Sequence, residues 1–216
     1  MAPRSASAEH TRKRILHEAH RLFVDNGYHG TSMRRIAREA GVALGNLYNH
    51  FQGKETLFTS VLFEFHPYHQ ILPALQAAQG ETMEAFVRDA ARQMIDHLGG
   101  HPEFLNLMFI ELVELEGRHM PDLIGTILPE LLRTIQPFAR REPEAAPQAA
   151  PAGSRLRPIP GQLLFRAFIG LFFSYYITDM FFSRVAASEQ PAQGLETFVD
   201  IFLHGVLEPT APTQAR

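Results

Sequence analysis

The chain of 216 residues is 45% hydrophobic, 20% charged and 10% aromatic, a composition of ordinary globular proteins that excludes the disordered, collagen-like and coiled-coil classes. Its net charge of -3 excludes a uniformly basic nucleic-acid coat, yet residues 1 to 60 hold nine Lys and Arg against five Asp and Glu, a balance of +4, and the rest carries the other eleven bases and eighteen acids, a balance of -7. A basic head on an acidic body points to a polyanion partner at one end.

Met1 to Arg14 is small, polar and basic with no apolar stretch behind it, so no signal peptide is expected there. With no Cys, disulfides and thiolate zinc sites are excluded, and a cytoplasmic location is expected. From Thr11 to Asn26, Ile15, Ala19, Leu22 and Phe23 fall at i, i+4, i+7 and i+8, the stripe of an amphipathic helix, and Gly27 supplies its stop. Thr31 or Ser32 can cap a second helix with Met33, Ile36, Ala37 and Ala40 inward, and Gly41 ends it. A short third helix follows over Leu44 to Phe51, with Leu47 and Phe51 on one side, and Gly53 breaks the chain before a fourth opens at Lys54.

The later segments read as helices at about 54–65, 68–79, 81–98, 102–116, 121–140, 161–187 and 193–207, with Pro102, Pro121 and Pro160 where first turns would begin. No strand alternation is present, so the predicted class is all-α. Between Arg140 and Pro160 lie five prolines among several alanines, too little apolar surface to order a segment, which predicts a mobile loop over about 141–160. Pro209 to Arg216 reads as a tail. The longest uncharged apolar stretch, Ala167 to Thr178, falls short of the roughly 18 residues of a membrane span, so no membrane partner is expected.

The chemistry is concentrated between Thr31 and Lys54. Ala37, Gly41 and Leu47 have the spacing of a helix-turn-helix: a small residue where two helices cross, a glycine where the turn needs positive φ, and an apolar anchor that fixes the second helix. With Leu47 inward, the short helix presents Ala43, Leu44, Gly45, Asn46, Tyr48, Asn49 and His50, and a helix of this width fits the major groove of B-DNA. Asn46 and Asn49 suit adenine edges, Leu44 suits a thymine methyl, Gly45 admits close backbone approach, and Tyr48, His50 and Lys54 are placed to hold phosphates. Thr31, Ser32, Met33 and Arg34 at the start of the second helix complete the expected DNA-contacting set. Arg12, Lys13 and Arg14 read as a solvated face that can add a phosphate or minor-groove contact.

Gly27-Tyr28, Thr31, Ile36-Ala37, Ala40-Gly41-Val42, Gly45, Leu47-Tyr48, His50-Phe51 and Lys54-Glu55 with Leu57 resemble the N-terminal DNA-binding domain of TetR/AcrR-type transcriptional regulators, over roughly residues 11 to 60. The resemblance implies a helix-turn-helix domain at 1–53 and a helical regulatory and dimerisation domain at 54–216. It further implies a homodimeric repressor that reads a palindromic double-stranded operator and releases it when a small-molecule effector binds. One departure stands out: Ala43 occupies the position where the family usually has Ser or Thr, so a side-chain cap worth about 1 kcal/mol is missing from the recognition helix.

In the body, apolar residues of Gln162 to Phe182 surround their helix, which therefore needs burial on all sides. Phe173, Ile177 and Phe181, with Phe198 and Phe202 of the last helix, are the expected faces of a two-fold interface. His66, Met94, His97, Phe104, Met108 and Phe109, facing Phe165, Phe168, Phe172 and Tyr176, are the expected lining of a pocket for an apolar or aromatic effector.

Two alternatives stay open. One is a helical ligand-binding or protein-interaction module without DNA. The other is a metal-dependent enzyme built on some of the eleven His. Against the enzyme, His17 and His20 read as solvated surface, His66 and His69 straddle Pro67, and His97 and His101 are separated by Gly99-Gly100. No HExxH, GxSxG or glycine-rich phosphate loop occurs, so neither cofactor nor metal nor catalytic residue is expected. His119 beside Glu116 reads as surface.

Overall fold

The computed structural model describes residues 3–78, 82–101, 103–140, 157, 159–182 and 191–206. Among them the regular elements are all helices: α1 (Pro3–Asn26), α2 (Met33–Glu39), α3 (Leu44–His50), α4 (Lys54–Phe65), α5 (Tyr68–Ala77), α6 (Met83–Gly99), α7 (Glu103–Val113), α8 (Met120–Arg140), α9 (Gly161–Phe182) and α10 (Pro191–Val206). The all-α expectation holds. α1 starts about two turns before the predicted Thr11, because the apolar stripe that betrays a helix begins at Ile15 while Ala6 to His10 are exposed. The predicted loop at 141–160, apart from residues 157, 159 and 160, and the tail at 209–216 lie outside the described residues, as does Pro102. Arg157 donates its backbone N–H to Val206 O at 2.8 Å.

Two compact units are present. The first draws on residues up to Pro67 and on His101–Ile124, the second on Tyr68–Gly100 and on residues from Gly125 onward. In the first unit α1 packs on α2, α4 and α7. The predicted stripe of α1 is its core: Ile15, Ala19, Leu22 and Phe23 are fully buried, as are Leu57, Phe58, Val61 and Leu62 of α4 and Leu107 of α7. Each fully buried Leu or Phe contributes about 1.5–3 kcal/mol, more than any surface contact here.

Two histidines depart from their expected surface positions. His119 is buried: its backbone N–H donates to Glu111 Oε1 at 2.6 Å and its Nδ1 lies 2.8 Å from Glu111 Oε2, so the fully buried Glu111 is satisfied from the turn that follows its own helix. That turn reverses through Glu116 and Gly117, both at positive φ. Glu116, the neighbour named from sequence, is exposed, and the true partner sits eight residues back, one helix away. His20 stacks on Phe65 of α4 at 4.1 Å between ring centroids, where its Nε2 is buried and has no hydrogen-bond partner among the described residues. His17 stays exposed with its ring edge-on to the same Phe65.

In the second unit α9 packs against α6 and α10. Phe172, Tyr175 and Tyr176 are its buried side chains, and Tyr176 donates its hydroxyl to Leu98 O at 3.0 Å. Arg88 of α6 pairs with Glu84, Glu196 and Asp200, and Arg92 pairs with Glu196, tying α6 to α10 by charge. α9 is one helix, among the described residues, long and apolar enough to cross a membrane by length and composition. The uncharged stretch Ala167 to Thr178 lies inside it between Arg166 and Asp179, and the helix, expected over 161–187, is described as far as Phe182.

Burial lowers the His20 pKa below the ordinary imidazole value, with Glu103 and Asp25 pulling upward and His17 downward. The unfolded chain therefore takes up this proton first, and stability falls as pH drops below about 6.5. In urea unfolding of the full chain, His20→Phe is expected to lose less stability than wild type between pH 7 and pH 5. An equal loss would show that His20 does not set this dependence.

Candidate nucleic-acid interface

Ser32 opens α2 from extended backbone, and its hydroxyl accepts the Arg35 N–H at 3.2 Å. The helix closes through Ala40 into Gly41, whose φ of +63 is the left-handed conformation that only glycine adopts cheaply. Val42 N–H then donates back to Ala37 O at 2.9 Å. α2 packs on α3 with Ala37 buried between them. α3 follows the N-cap Ala43, which makes no side-chain cap, and Asn46 and Leu47 N–H donate to Ala43 O. Leu47 is its one fully buried side chain.

Of the twelve residues expected to contact DNA, Ser32, Arg34, Ala43, Gly45, Asn46, Tyr48 and Asn49 are exposed, with Leu44 and His50 half-exposed. Tyr48 keeps 49% of its surface. A Cβ added at Gly45 would meet nothing within 4 Å, so the surface above it is open.

Three of the twelve are placed otherwise. Thr31 is buried, its hydroxyl donating to Leu22 O and Gly27 O at 3.0 and 2.9 Å. Met33 is buried in the core of the head. Lys54 turns its ammonium inward, donating to Tyr28 O and Thr31 O at 3.0 Å each and lying 4.2 Å from the Tyr28 ring centroid. Burial lowers its pKa, against an opposing pull from Glu114. Residue type made these three look like readers; the tertiary turn around Tyr28 claims two of them and the hydrophobic core the third.

The remaining cations divide by partner. Arg35 donates to Asn26 Oδ1, while Arg21 and Arg38 pair with neighbouring acids. Among the described residues Lys13, Arg14 and Arg34 are exposed without a side-chain partner, and Arg12 lies over the Phe51 ring at 5.2 Å. Sequence reasoning missed Glu114, whose carboxylate accepts Tyr28 N–H at 3.2 Å and His29 N–H at 2.8 Å. No local pattern marks it, since its partners lie 86 and 85 residues away.

The expected effector residues divide between the two units. His66, Phe104, Met108 and Phe109 belong to the first unit, where His66 meets Phe104 ring to ring at 4.7 Å and Phe109 is exposed. In the second unit a cavity of about 50 Å³ is lined by Phe165 and Phe168 together with Leu75, Phe86, Val87, Ala90, Leu131, Leu164, Phe202 and Val206. Met94, His97, Phe172 and Tyr176 stand outside that lining, and His97 Nδ1 lies 2.6 Å from Gln93 O. The apolar i, i+4 pair Phe86 and Ala90 on α6 was the missed signal.

Of the expected interface residues, Phe181 is exposed and Phe173, Ile177 and Phe198 are half-exposed, Phe198 against Tyr175 at 5.0 Å. Phe202 is instead buried against Phe168 and Phe172 and forms part of the cavity wall. Among the described residues no group of three or more His, Asp or Glu is placed to hold a metal ion.

The arrangement defines a class: a helix-turn-helix head whose second helix shows polar side chains outward. Residues 15–61 match the family described as "Bacterial regulatory proteins, tetR family", and the helix-turn-helix lies within that stretch. The HTH-type transcriptional regulator UidR of Escherichia coli strain K12 is 39% identical over 57 residues, which is 26% of this chain and 29% of UidR; the likeness thus spans under a third of that relative. Over nearly the whole chain the fold resembles two solved structures. One is NalD of Pseudomonas aeruginosa, the secondary repressor of the MexAB-OprM multidrug efflux pump (24% identity, 93% of this chain and 98% of that one, TM-score 0.63). The other is the fatty acid degradation regulator FadR of Bacillus halodurans (14% identity, 95% and 97%, TM-score 0.65). These relatives and neighbours are regulators, not enzymes.

Since Ala43 leaves α3 without a side-chain cap, Ala43→Ser is expected to stabilise the protein by about 0.5–1 kcal/mol in urea unfolding. No gain would mean that another group already satisfies the α3 N-terminus.

Proposed function

We propose that this protein is a homodimeric transcription regulator, a repressor that grips a palindromic operator through α3 and lets go when an apolar effector enters its second unit. The observation that carries this reading is the outward face of α3: Asn46, Tyr48 and Asn49 exposed around the buried Leu47, in a TetR-type domain. Asn46 and Asn49 read base edges, Tyr48, His50, Ser32 and Arg34 hold phosphates, and Ala43, Leu44 and Gly45 let the helix lie close to the groove. A DNA partner places the protein in the cytoplasm.

Dimerisation is supported by a seam on α9. Leu163, Ala167, Gly170, Ser174, Ile177 and Phe181 follow one another at alternating spacings of four and three, and all but the half-exposed Ile177 are exposed. That spacing lets two helices interlock side by side. Two-fold symmetry then calls for half-sites about 34 Å apart, or a multiple of that. The effector is apolar because every side chain around the cavity is apolar, with four phenylalanines among them. A full switch from bound to released needs an effector that favours the released state by about 5.5 kcal/mol.

Footprinting the purified protein on DNA flanking its gene tests the reading. Asn46→Ala is expected to relax preference at one base pair, and Tyr48→Ala to weaken binding across sequences by about tenfold. Unchanged affinity in both variants, or no protected site, would favour a ligand-binding module without DNA. For the seam, Gly170→Arg meets no protein atom within 4 Å at the added Cβ, so the protomer keeps its fold. It is expected to sediment as a monomer at micromolar concentration where wild type is a dimer; a dimeric variant would move the interface elsewhere.

A further inference from the structure

The turn between α1 and α2 is gripped from two sides by opposite charges. Its N–H groups at Tyr28 and His29 donate to the Glu114 carboxylate at the end of α7. Its carbonyls at Tyr28 and Thr31 accept from the Lys54 ammonium at the start of α4. Two of the three ammonium donors are thus taken by carbonyls, and the Tyr28 ring covers another side of the group. Gly27 fits the same grip. It holds φ at +73, and a Cβ there would stand 2.5 Å from Glu114 Oε1, inside any permissible contact. Glycine is therefore needed both for the turn and for the approach of the carboxylate.

Glu55, next to Lys54, reaches the other way, to Arg118 at 2.9 Å and toward His119 Nε2 at 3.6 Å. Adjacent residues at the start of α4 thus bind the turn before the helix-turn-helix and the turn after α7. α4 follows α3 by three residues, so whatever fixes its first turn also fixes the seat of α3.

We propose that Lys54 and Glu114 form a clasp on the α1–α2 turn, and that Lys54 serves DNA binding as a positioning residue, with its charge spent inside the head and not on a DNA phosphate. The proposal rests on the DNA-binding reading for its consequence, while the clasp itself can be tested without DNA. Phosphate neutralisation falls instead to exposed cations such as Arg34.

Two measurements decide it, both on the full-length protein. Binding to a duplex of about 300 base pairs from directly upstream of the gene is followed over a salt series. Each phosphate contact contributes about 0.9 to the slope of log affinity against log salt. Lys54→Met is expected to weaken binding about tenfold at every salt concentration with the slope unchanged, whereas Arg34→Ala lowers the slope by about one. A slope lowered by about one in Lys54→Met would overturn the positioning role and make Lys54 a phosphate contact. In the second measurement, hydrogen exchange at the Tyr28 and His29 amides of the free protein is expected to speed up at least tenfold in Glu114→Ala. Glu114→Gln, which keeps one acceptor, should fall between that variant and wild type. Unchanged exchange in Glu114→Ala would overturn the clasp, and this readout stands even if Lys54→Met does not fold. Wild-type protein that binds no DNA would sink the regulator reading and the positioning role together, leaving the exchange result to decide the clasp alone.

Discussion

A helix of seven residues cannot stand by itself, because nucleation fixes several dihedrals for each hydrogen bond returned. α3 is such a helix, without a side-chain cap and with a single fully buried residue. Its outward chemistry therefore depends on Leu47 being held in the groove between the neighbouring helices, with Phe51 buried just beyond. Ala37 stands where α2 meets α3, and Gly41 provides the left-handed turn that brings Val42 N–H back to Ala37 O. Polar side chains on α3 are thus presented because one apolar side chain is not.

The same constraint explains why so much charge in the head is directed at its own backbone. Loops expose N–H and C=O groups that need partners when partly buried. At the α1–α2 turn those partners are Glu114 and Thr31 Oγ1 as well as Lys54. A basic head is thus less free for a polyanion than its residue count implies. Of its nine Lys and Arg, Arg21, Arg35, Arg38 and Lys54 are already engaged.

Periodicity made the helices legible, since apolar spacing is the direct trace of a one-sided core; Ile15, Ala19, Leu22 and Phe23 are buried as their spacing requires. The exposed face of α3 was legible for the converse reason: once Leu47 is inward, helix geometry places Asn46, Tyr48 and Asn49 outward. Contacts made over long sequence distance left no such trace. Lys54 carries a group that suits phosphate, and only its distant partners, the Tyr28 and Thr31 carbonyls, show that two of its three donors are taken. The expected effector residues and the lining of the cavity differ for a related reason. Met and Phe stripes on α7 are indistinguishable in sequence from those on α6, and it is packing that puts Phe104 and Met108 in the head's unit and Phe86 at the cavity.

Chain connectivity adds a further constraint on the head. Residues 101–124 enter from α6 and leave through α8, both of which contribute to the second unit, yet they pack with the head. Glu111 and Glu114 lie on this inserted segment, so the carboxylates that satisfy the turn after α7 and the α1–α2 turn both come from it. A hydrogen bond to a charged group contributes about 1.5–3 kcal/mol, and solvent screens the exposed end at His29. Two such bonds from Glu114 thus outweigh an exposed ion pair, which contributes about 0–1 kcal/mol. A clasp of this size is strong enough to hold the head in one register, which an exposed ion pair would not be.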